Sequence, residues 1–420
     1  MTSNHADKEA YIWIWLPGAT EPVVAGKLEV DAQGHIHFNY GKSYLERVKD
    51  TPPAIPIYLP ELPLKKGVLA LPDGLSMPGC IRDAAPDAWG RRVIINKKLG
   101  RKGKDTVTDA LGELTYLLES GSDRIGALDF QRSPSEYLPR SARNVPLEEL
   151  LKSAERVERG IPLTPELDQA LFHGSSIGGA RPKALIEDQG TKYIAKFSSS
   201  SDLYSVVKAE FIAMRSGRGR GESSPRKACQ AANKDILLIE RFDREKTAHG
   251  WTRKAMVSAL TLFGLDDMMA RYASYETFAE IIRHRFDNPK KTLEELFSRL
   301  VFNILCGNTD DHARNHAAFW NGKTLSLTPA YDICPQNRTG NEASQAMLIS
   351  GNNNLSKLQS CLAAAPHFQL PQDEAKTIFE RQREAIEANW DNVCDEAKLS
   401  EIDRKLFWKR QFLNPSVFEE

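Results

Sequence analysis

Apolar and polar positions change rhythm three times along the chain. Between residues 11 and 60 the spans are short and rich in aromatic and β-branched residues. Tyr11-Ile12-Trp13-Ile14-Trp15-Leu16 predicts a strand. Two more strands should flank Asp31-Ala32-Gln33-Gly34, where glycine can take a positive φ. The short run Ile55 to Leu59 carries Pro56, which places it at an edge or in an extended arm. Helical spacing then covers Ala84 to Lys98, stopping at Gly100, and Asp109 to Glu119. Residues 131–145 are rich in Pro, Ser and Arg and read as a linker.

Pro146 to Arg156 and Pro165 to Phe172 are expected helices with proline at their starts, where a missing N–H costs nothing. Ser175 to Ala180 is small and glycine-rich. It leads to two strands, Lys183 to Ile186 and Tyr193 to Phe197, around the turn Asp188-Gln189-Gly190. A helix over Val206 to Arg215 and a strand over Ile236 to Phe242 follow. Beyond about residue 255 the pattern is mainly helical, at Tyr275 to Arg283, Leu293 to Leu305, Pro371 to Trp390 and Lys398 to Trp408. Leu293, Leu296, Phe297, Leu300 and Ile304 share one face, which marks a core stripe. The expected fold is α+β, with an N-terminal β-containing part at 1–135, a second part at 146–243 and a helical part at 244–420.

Composition narrows the function classes. The chain has 420 residues, with 56 Lys plus Arg balancing 56 Asp plus Glu. That balance argues against whole-chain attraction to nucleic acid. The local basic run Arg91, Arg92, Lys97, Lys98, Arg101, Lys102 and Lys104 reads first as a solvated helix end. Six dispersed cysteines form neither a zinc knuckle nor a disulfide framework. The start of the chain is polar, and there is no 18-residue apolar run, so a cytoplasmic protein without a membrane span is expected.

The chemistry concentrates at Asn303 to Asn315, NILCGNTDDHARN. The helix should end near Gly307, leaving costly polar side chains beside a core. Asp310 precedes Asn315 by five residues, the interval between the base aspartate and the metal-binding asparagine of a kinase catalytic loop. Asp311 is the rival, although only Asp310 gives that interval. Tyr331-Asp332-Ile333 follows a strand expected at Thr324 to Leu327, and Asp332 would be a second metal-binding oxygen donor. Triphosphate chemistry needs such donors because hard cations must neutralise the phosphates. A capped polar turn is the plain alternative. His312 and Arg314 could touch phosphates, whereas His312 lacks partner histidines at zinc-site spacing.

Gly174 to Lys183 is neither a Walker loop nor a dinucleotide loop. Its small residues still permit a backbone nest for phosphate, or else a plain surface turn. Lys196 lies in an apolar strand after it, the position of a phosphate-pairing lysine, and Glu210 in the next helix could hold it. Glu240 to Phe242 stands where an interlobe hinge would meet adenine.

Ser-Ile-Gly-Gly-Ala-Arg-Pro-Lys at 176–183, Glu-Arg-Phe-Asp at 240–243, Gly-Asn-Thr-Asp-Asp-His-Ala-Arg-Asn at 307–315 and Tyr-Asp at 331–332 together resemble the HipA-type serine/threonine kinases of type II toxin–antitoxin systems. The resemblance covers nearly the whole chain. It implies a bilobal kinase-like fold, ATP and Mg²⁺ as cofactors, and growth arrest through inhibited translation. It implies Asp310 as the catalytic aspartate, and Asn315 and Asp332 as metal ligands. It implies ATP contacts from Gly178, Gly179, Ala180, Arg181, Pro182, Lys183, Lys196, Glu240, Phe242, His312, Arg314 and Tyr331. Ser176 matches the serine that members autophosphorylate. Implied partners are a helix-turn-helix antitoxin of the HipB type, operator DNA mainly through that antitoxin, and a protein substrate such as an aminoacyl-tRNA synthetase. Arg181-Pro182 replaces Gln-Glu of the best-known member, and Arg314 replaces Lys, which leaves the substrate open. A small-molecule kinase, or a catalytically silent subunit of a repressor complex, stands as the alternative.

Overall fold

The computed structural model describes residues 7–99, 111–140, 145–159, 161, 181–199, 202–217, 226–231, 234–338 and 340–419. The architecture is α+β, β-rich toward the N-terminus and helical toward the C-terminus. The chain divides into two compact units. The first takes residues 1–200, 229–257 and 320–323; the second takes 201–228, 258–319 and 324–420.

In the first unit, strands β1 (Glu9–Ile14), β2 (Val23–Val30), β3 (Ile36–Tyr40) and β4 (Leu128–Gln131) form a sheet ordered β3-β2-β1-β4. Alternation buries Ala10, Ile12 and Ile14 completely on one face. Asp31 closes the β2–β3 turn. Its Oδ1 accepts the N–H of Gln33 at 2.9 Å and of His35 at 2.8 Å, and Gly34 supplies φ +89°.

The helix expected over Ala84 to Lys98 starts four residues late, at Ala88, and runs unbroken to Leu99. A separate short helix, Gly79–Arg82, stops ahead of Pro86. Proline has no N–H to donate and biases its predecessor away from helical ψ. The segment expected to be a linker, 131–145, shares only its first residue, Gln131, with strand β4, which pairs antiparallel to β1. Farther on, Arg140 anchors it, donating to Asp129 at 2.8 Å and to the Ser120 carbonyl at 2.9 Å. The Asp109–Glu119 helix is seen over Glu113–Glu119, and residues 100–110 lie outside the described residues. The basic run is partly paired: Arg91 binds Glu113 at 2.6 Å, and Lys98 binds Glu119 at 2.9 Å.

A second sheet in this unit contains β5 (Lys183–Asp188), β6 (Thr191–Phe197) and the strand Lys234–Glu240 beside β6. Gln189 and Gly190 join β5 to β6 with φ +47° and +75°, the two positive values of a type I′ hairpin turn. Helices Ala88–Leu99 and Leu147–Glu158 cover this sheet. Trp89, Val93, Leu150, Leu151 and Val157 pack there with Ala184, Ala195, Phe197 and Ile236. Trp89 also donates its indole N–H to the Lys183 carbonyl at 3.2 Å.

The second unit is built on helices Val206–Ser216, Tyr275–Arg285, Pro289–Leu305 and Gln372–Glu396. Ser274 caps the second of these, its hydroxyl accepting the Thr277 N–H at 3.0 Å. Pro289 opens the third. The expected stripe of Leu293, Leu296, Phe297, Leu300 and Ile304 is fully buried. Phe297 meets Phe368 with ring centroids 5.2 Å apart. The last of the four extends beyond the expected end at Trp390, and no proline or glycine interrupts it before Glu396. Among the described residues no helix is long and apolar enough to cross a membrane. All six cysteines are free.

Candidate active site

The loop after helix Pro289–Leu305 is fixed at its root by a glycine. Gly307 has φ +70°, and a β-carbon there would lie 2.5 Å from the Gln411 carbonyl oxygen. Both facts require glycine. Asn308 then turns back, its N–H donating to the Asn303 carbonyl at 2.8 Å and its side-chain amide to Asn303 Oδ1 at 3.0 Å. The next turn is organised around one carbonyl. The Asp310 main-chain oxygen accepts the His312 N–H at 3.0 Å and the Asn315 side-chain Nδ2 at 3.1 Å. With Nδ2 facing Asp310, the Asn315 Oδ1 is the end that can ligate a cation.

Adjacent aspartates have opposite fates here. Asp310 is exposed, while Asp311 is 2% exposed. Both Asp311 oxygens are engaged inside the core: Oδ1 with His316 Nε2 at 2.9 Å, and Oδ2 with the Tyr275 hydroxyl. His316 also lies 3.2 Å from the Tyr275 hydroxyl. Despite its burial, the imidazole and these hydrogen bonds hold Asp311 below the ordinary carboxylate range. Asp311 is thus a core fastener, and Asp310 is the carboxylate that can meet a substrate.

Asp332 follows the strand Leu325–Leu327 and has φ +57°, a left-handed conformation uncommon for aspartate. The Tyr331 hydroxyl donates to the Arg314 carbonyl at 2.7 Å, tying this segment to the loop. Partial desolvation and the charges of Asp332 and Asp311 raise the Asp310 carboxyl above its ordinary range, with His312 opposing. Crowded carboxylates beside an amide oxygen are a donor set that a hard divalent cation fits, because its charge relieves that repulsion. Arg314 places Nε 3.0 Å and Nη2 2.8 Å from one oxygen of Asp267.

The other candidate residues belong to the first unit, except Glu210. Lys196 is buried on β6, paired in register with Lys183 on β5. The Phe197 N–H donates to the Pro182 carbonyl at 3.1 Å, which fixes the segment entering β5 just after Arg181. Ser176, Gly178, Gly179 and Ala180 lie outside the described residues. Glu240 ends its strand half-buried, and Phe242 is half-buried beyond it. Glu210 is 3% exposed on helix Val206–Ser216 of the second unit.

Sequence reasoning misses the residues that alternate with Glu240 and Phe242. Arg241 and Asp243 form a two-point ion pair, Nε–Oδ1 2.9 Å and Nη2–Oδ2 2.8 Å. Arg244 reaches Asp243 at 2.9 Å and Asp123 at 2.9 Å, and Arg241 reaches Asp123 at 3.1 Å. The Gly126 N–H donates to Asp243 at 2.8 Å. In extended backbone, residues two apart face the same way, so Glu-Arg-Phe-Asp already sets Arg241 and Asp243 opposite to Glu240 and Phe242. That alternation was the available signal.

Comparison with known proteins gives the chain's family and fold. The family model described as HipA-like C-terminal domain matches residues 175–390, just over half of the chain. A putative kinase from Haemophilus influenzae is 28% identical over 182 residues, 38% of this chain and 52% of that protein. The chain thus spans about half the length of that relative. The serine/threonine-protein kinase toxin HipA of Shewanella oneidensis is 22% identical over 280 residues, 57% of this chain and 61% of that protein. Among solved structures, a chain of the Shewanella oneidensis MR-1 complex of HipA, HipB and operator DNA aligns with TM-score 0.68 at 18% identity. That alignment covers 96% of this chain and 99% of the other, and shows the bilobal HipA-type fold.

Proposed function

The chain belongs to the HipA-like family, and on that premise we propose that it is an ATP- and Mg²⁺-dependent serine/threonine protein kinase acting as a growth-inhibiting toxin. The observation that carries the reading is the division between Asp310 and Asp311. One carboxylate is exposed on a loop whose carbonyl holds Asn315, while its neighbour is consumed by the core.

Asp310 would hold the acceptor hydroxyl and receive its proton. Asn315 Oδ1 and an Asp332 carboxylate oxygen would hold Mg²⁺. When bound, Mg·ATP supplies the phosphoryl group and the positive charge that stabilises it. Lys196 would steady the α- and β-phosphates, with Glu210 as its counter-ion. The segment 178–183 would lie over the phosphates, and the backbone at Glu240 and Phe242 would meet adenine. His312, Arg314 and Tyr331 complete the nucleotide contacts in this reading. Ser176 would be the autophosphorylated residue. A HipB-type antitoxin would bind the chain and carry most of the contact with operator DNA. The target would be a translation component, an aminoacyl-tRNA synthetase being one class that fits.

Phosphate incorporation tests this directly. Wild-type protein with Mg·ATP should label a protein acceptor on Ser or Thr, and Asp310→Asn should lower the rate roughly 10²–10⁴-fold while folding normally. Full activity in Asp310→Asn, or transfer to metabolites alone, would sink the proposal. Mass spectrometry after incubation should find phosphate on Ser176.

A further inference from the structure

The β2–β3 turn holds a second chemical group far in sequence from the loop at 303–332. Asp31, His35 and His37 converge on it. Asp31 Oδ2 lies 2.9 Å from His37 Nε2 and 3.3 Å from His35 Nδ1. The two imidazole centroids are 6.4 Å apart and nearly perpendicular, at 89°. One ligand atom from each of the three residues falls within 4.8 Å of the others.

The local fold explains the convergence. His35 and His37 flank Ile36, which opens β3 and is buried, so both imidazoles point away from the core. Asp31 cannot swing away, because its Oδ1 is held by the N–H groups of Gln33 and His35. That leaves Oδ2 aimed at both rings, the kind of second-contact anchoring that orients metal ligands.

We propose that Asp31, His35 and His37 form a binding site for a borderline divalent transition cation, with Zn²⁺ as the natural probe. Ligand atoms around tetrahedral zinc stand about 3.4 Å apart, given bonds of about 2.0–2.2 Å. The two Asp31–imidazole separations, 2.9 and 3.3 Å, are near that value, and the third lies within 4.8 Å, so side-chain rotation has to close only the remaining gap. Two imidazoles and one carboxylate leave the fourth position to water. Nitrogen donors select zinc, nickel or copper over Mg²⁺, which separates this site chemically from the oxygen donors of the kinase loop. The half-exposed location lets an ion enter from solvent. Bound there, it would clip the end of β2 to the start of β3.

Calorimetric titration of untagged full-length protein with Zn²⁺, in excess Mg²⁺, tests the site. Wild type should bind one equivalent, and Co²⁺ should give the visible absorption of a tetrahedral site. His35→Ala and His37→Ala should each weaken binding at least tenfold. Asp31→Asn keeps an oxygen for the turn N–H groups, so it reports on the metal with the hairpin intact, and it too should weaken binding. Metal-free thermal midpoints establish that each variant is folded. Zn²⁺ affinity unchanged in all three variants, or no saturable binding by wild type, would overturn the proposal.

Discussion

Asn315 donates its side-chain amide to the main-chain carbonyl of Asp310, 3.1 Å away. The five-residue interval between them is therefore a mechanical one. It is the distance at which a single turn can bring an asparagine back onto the carbonyl of the residue that starts it. That hydrogen bond also turns Oδ1 away from the Asp310 carbonyl. Asn315→Ala removes the proposed cation ligand and its hydrogen-bonded anchor together. We expect the Mg²⁺ concentration for half-maximal phosphoryl transfer to rise at least tenfold. An unchanged Mg²⁺ requirement would remove Asn315 from the metal site.

Asp310→Asn and Asp311→Asn should separate activity from stability. The first alters an exposed group, so its effect on unfolding should stay within about 0.5 kcal/mol. The second breaks the pairing with His316 and Tyr275 and should cost roughly 3–5 kcal/mol, the range for removing one partner of a buried pair. Urea unfolding of both variants decides it. The opposite pattern would reverse the assignment of the two aspartates.

Gly307→Ala tests the root of the loop. The left-handed backbone alone costs a non-glycine residue about 1–3 kcal/mol. The 2.5 Å approach to the Gln411 carbonyl adds a clash that only backbone movement relieves. The expected result is a lower unfolding midpoint together with reduced transfer, since the displaced segment carries Asp310.

Acid should unfold the first unit through identifiable carboxylates. Asp243 is held at about 2 against an ordinary 3.8, because Arg241 and Arg244 outweigh its burial. Asp123 is lowered by the same two arginines, and Asp129 by Arg124 and Arg140. A carboxylate easier to ionise when folded contributes stability that is complete above about pH 4 and disappears as pH falls toward 2. Asp243→Asn should be less stable at pH 7 and should flatten the acid branch of stability against pH. An acid branch as steep as wild type would show that other groups govern it.

Local features were readable in the chain, and long-range ones were not. The stripe from Leu293 to Ile304 and the turn at Gln189-Gly190 rest on period and positive φ, which a few neighbouring residues determine. The late helix start behind Pro86 is local too, because proline biases its predecessor away from helical ψ. Asp123 and Arg241 are far apart in sequence, and no periodicity announces such a pairing. Asp310 and Asp311 show the same limit at the site. Spacing could favour the first, but only the core around Tyr275 and His316 shows what occupies the second.

The cluster of Asp123, Arg241, Asp243 and Arg244 bears on what can be inherited or cut out as a module. The family model begins at residue 175, yet Asp123, the Gly126 N–H and the packing surface of Trp89 all lie before that point. It ends at residue 390, short of the Gln411 carbonyl that Gly307 packs against. A fragment trimmed to 175–390 would keep two arginines and one aspartate of the cluster and lose the remaining acid. Expressed alone it should be insoluble or unfolded by circular dichroism, and a soluble, cooperative fragment would refute this. Recombination that exchanged only the matched segment between relatives would strand the same charges, so the stretch around Asp123 must travel with the domain it precedes.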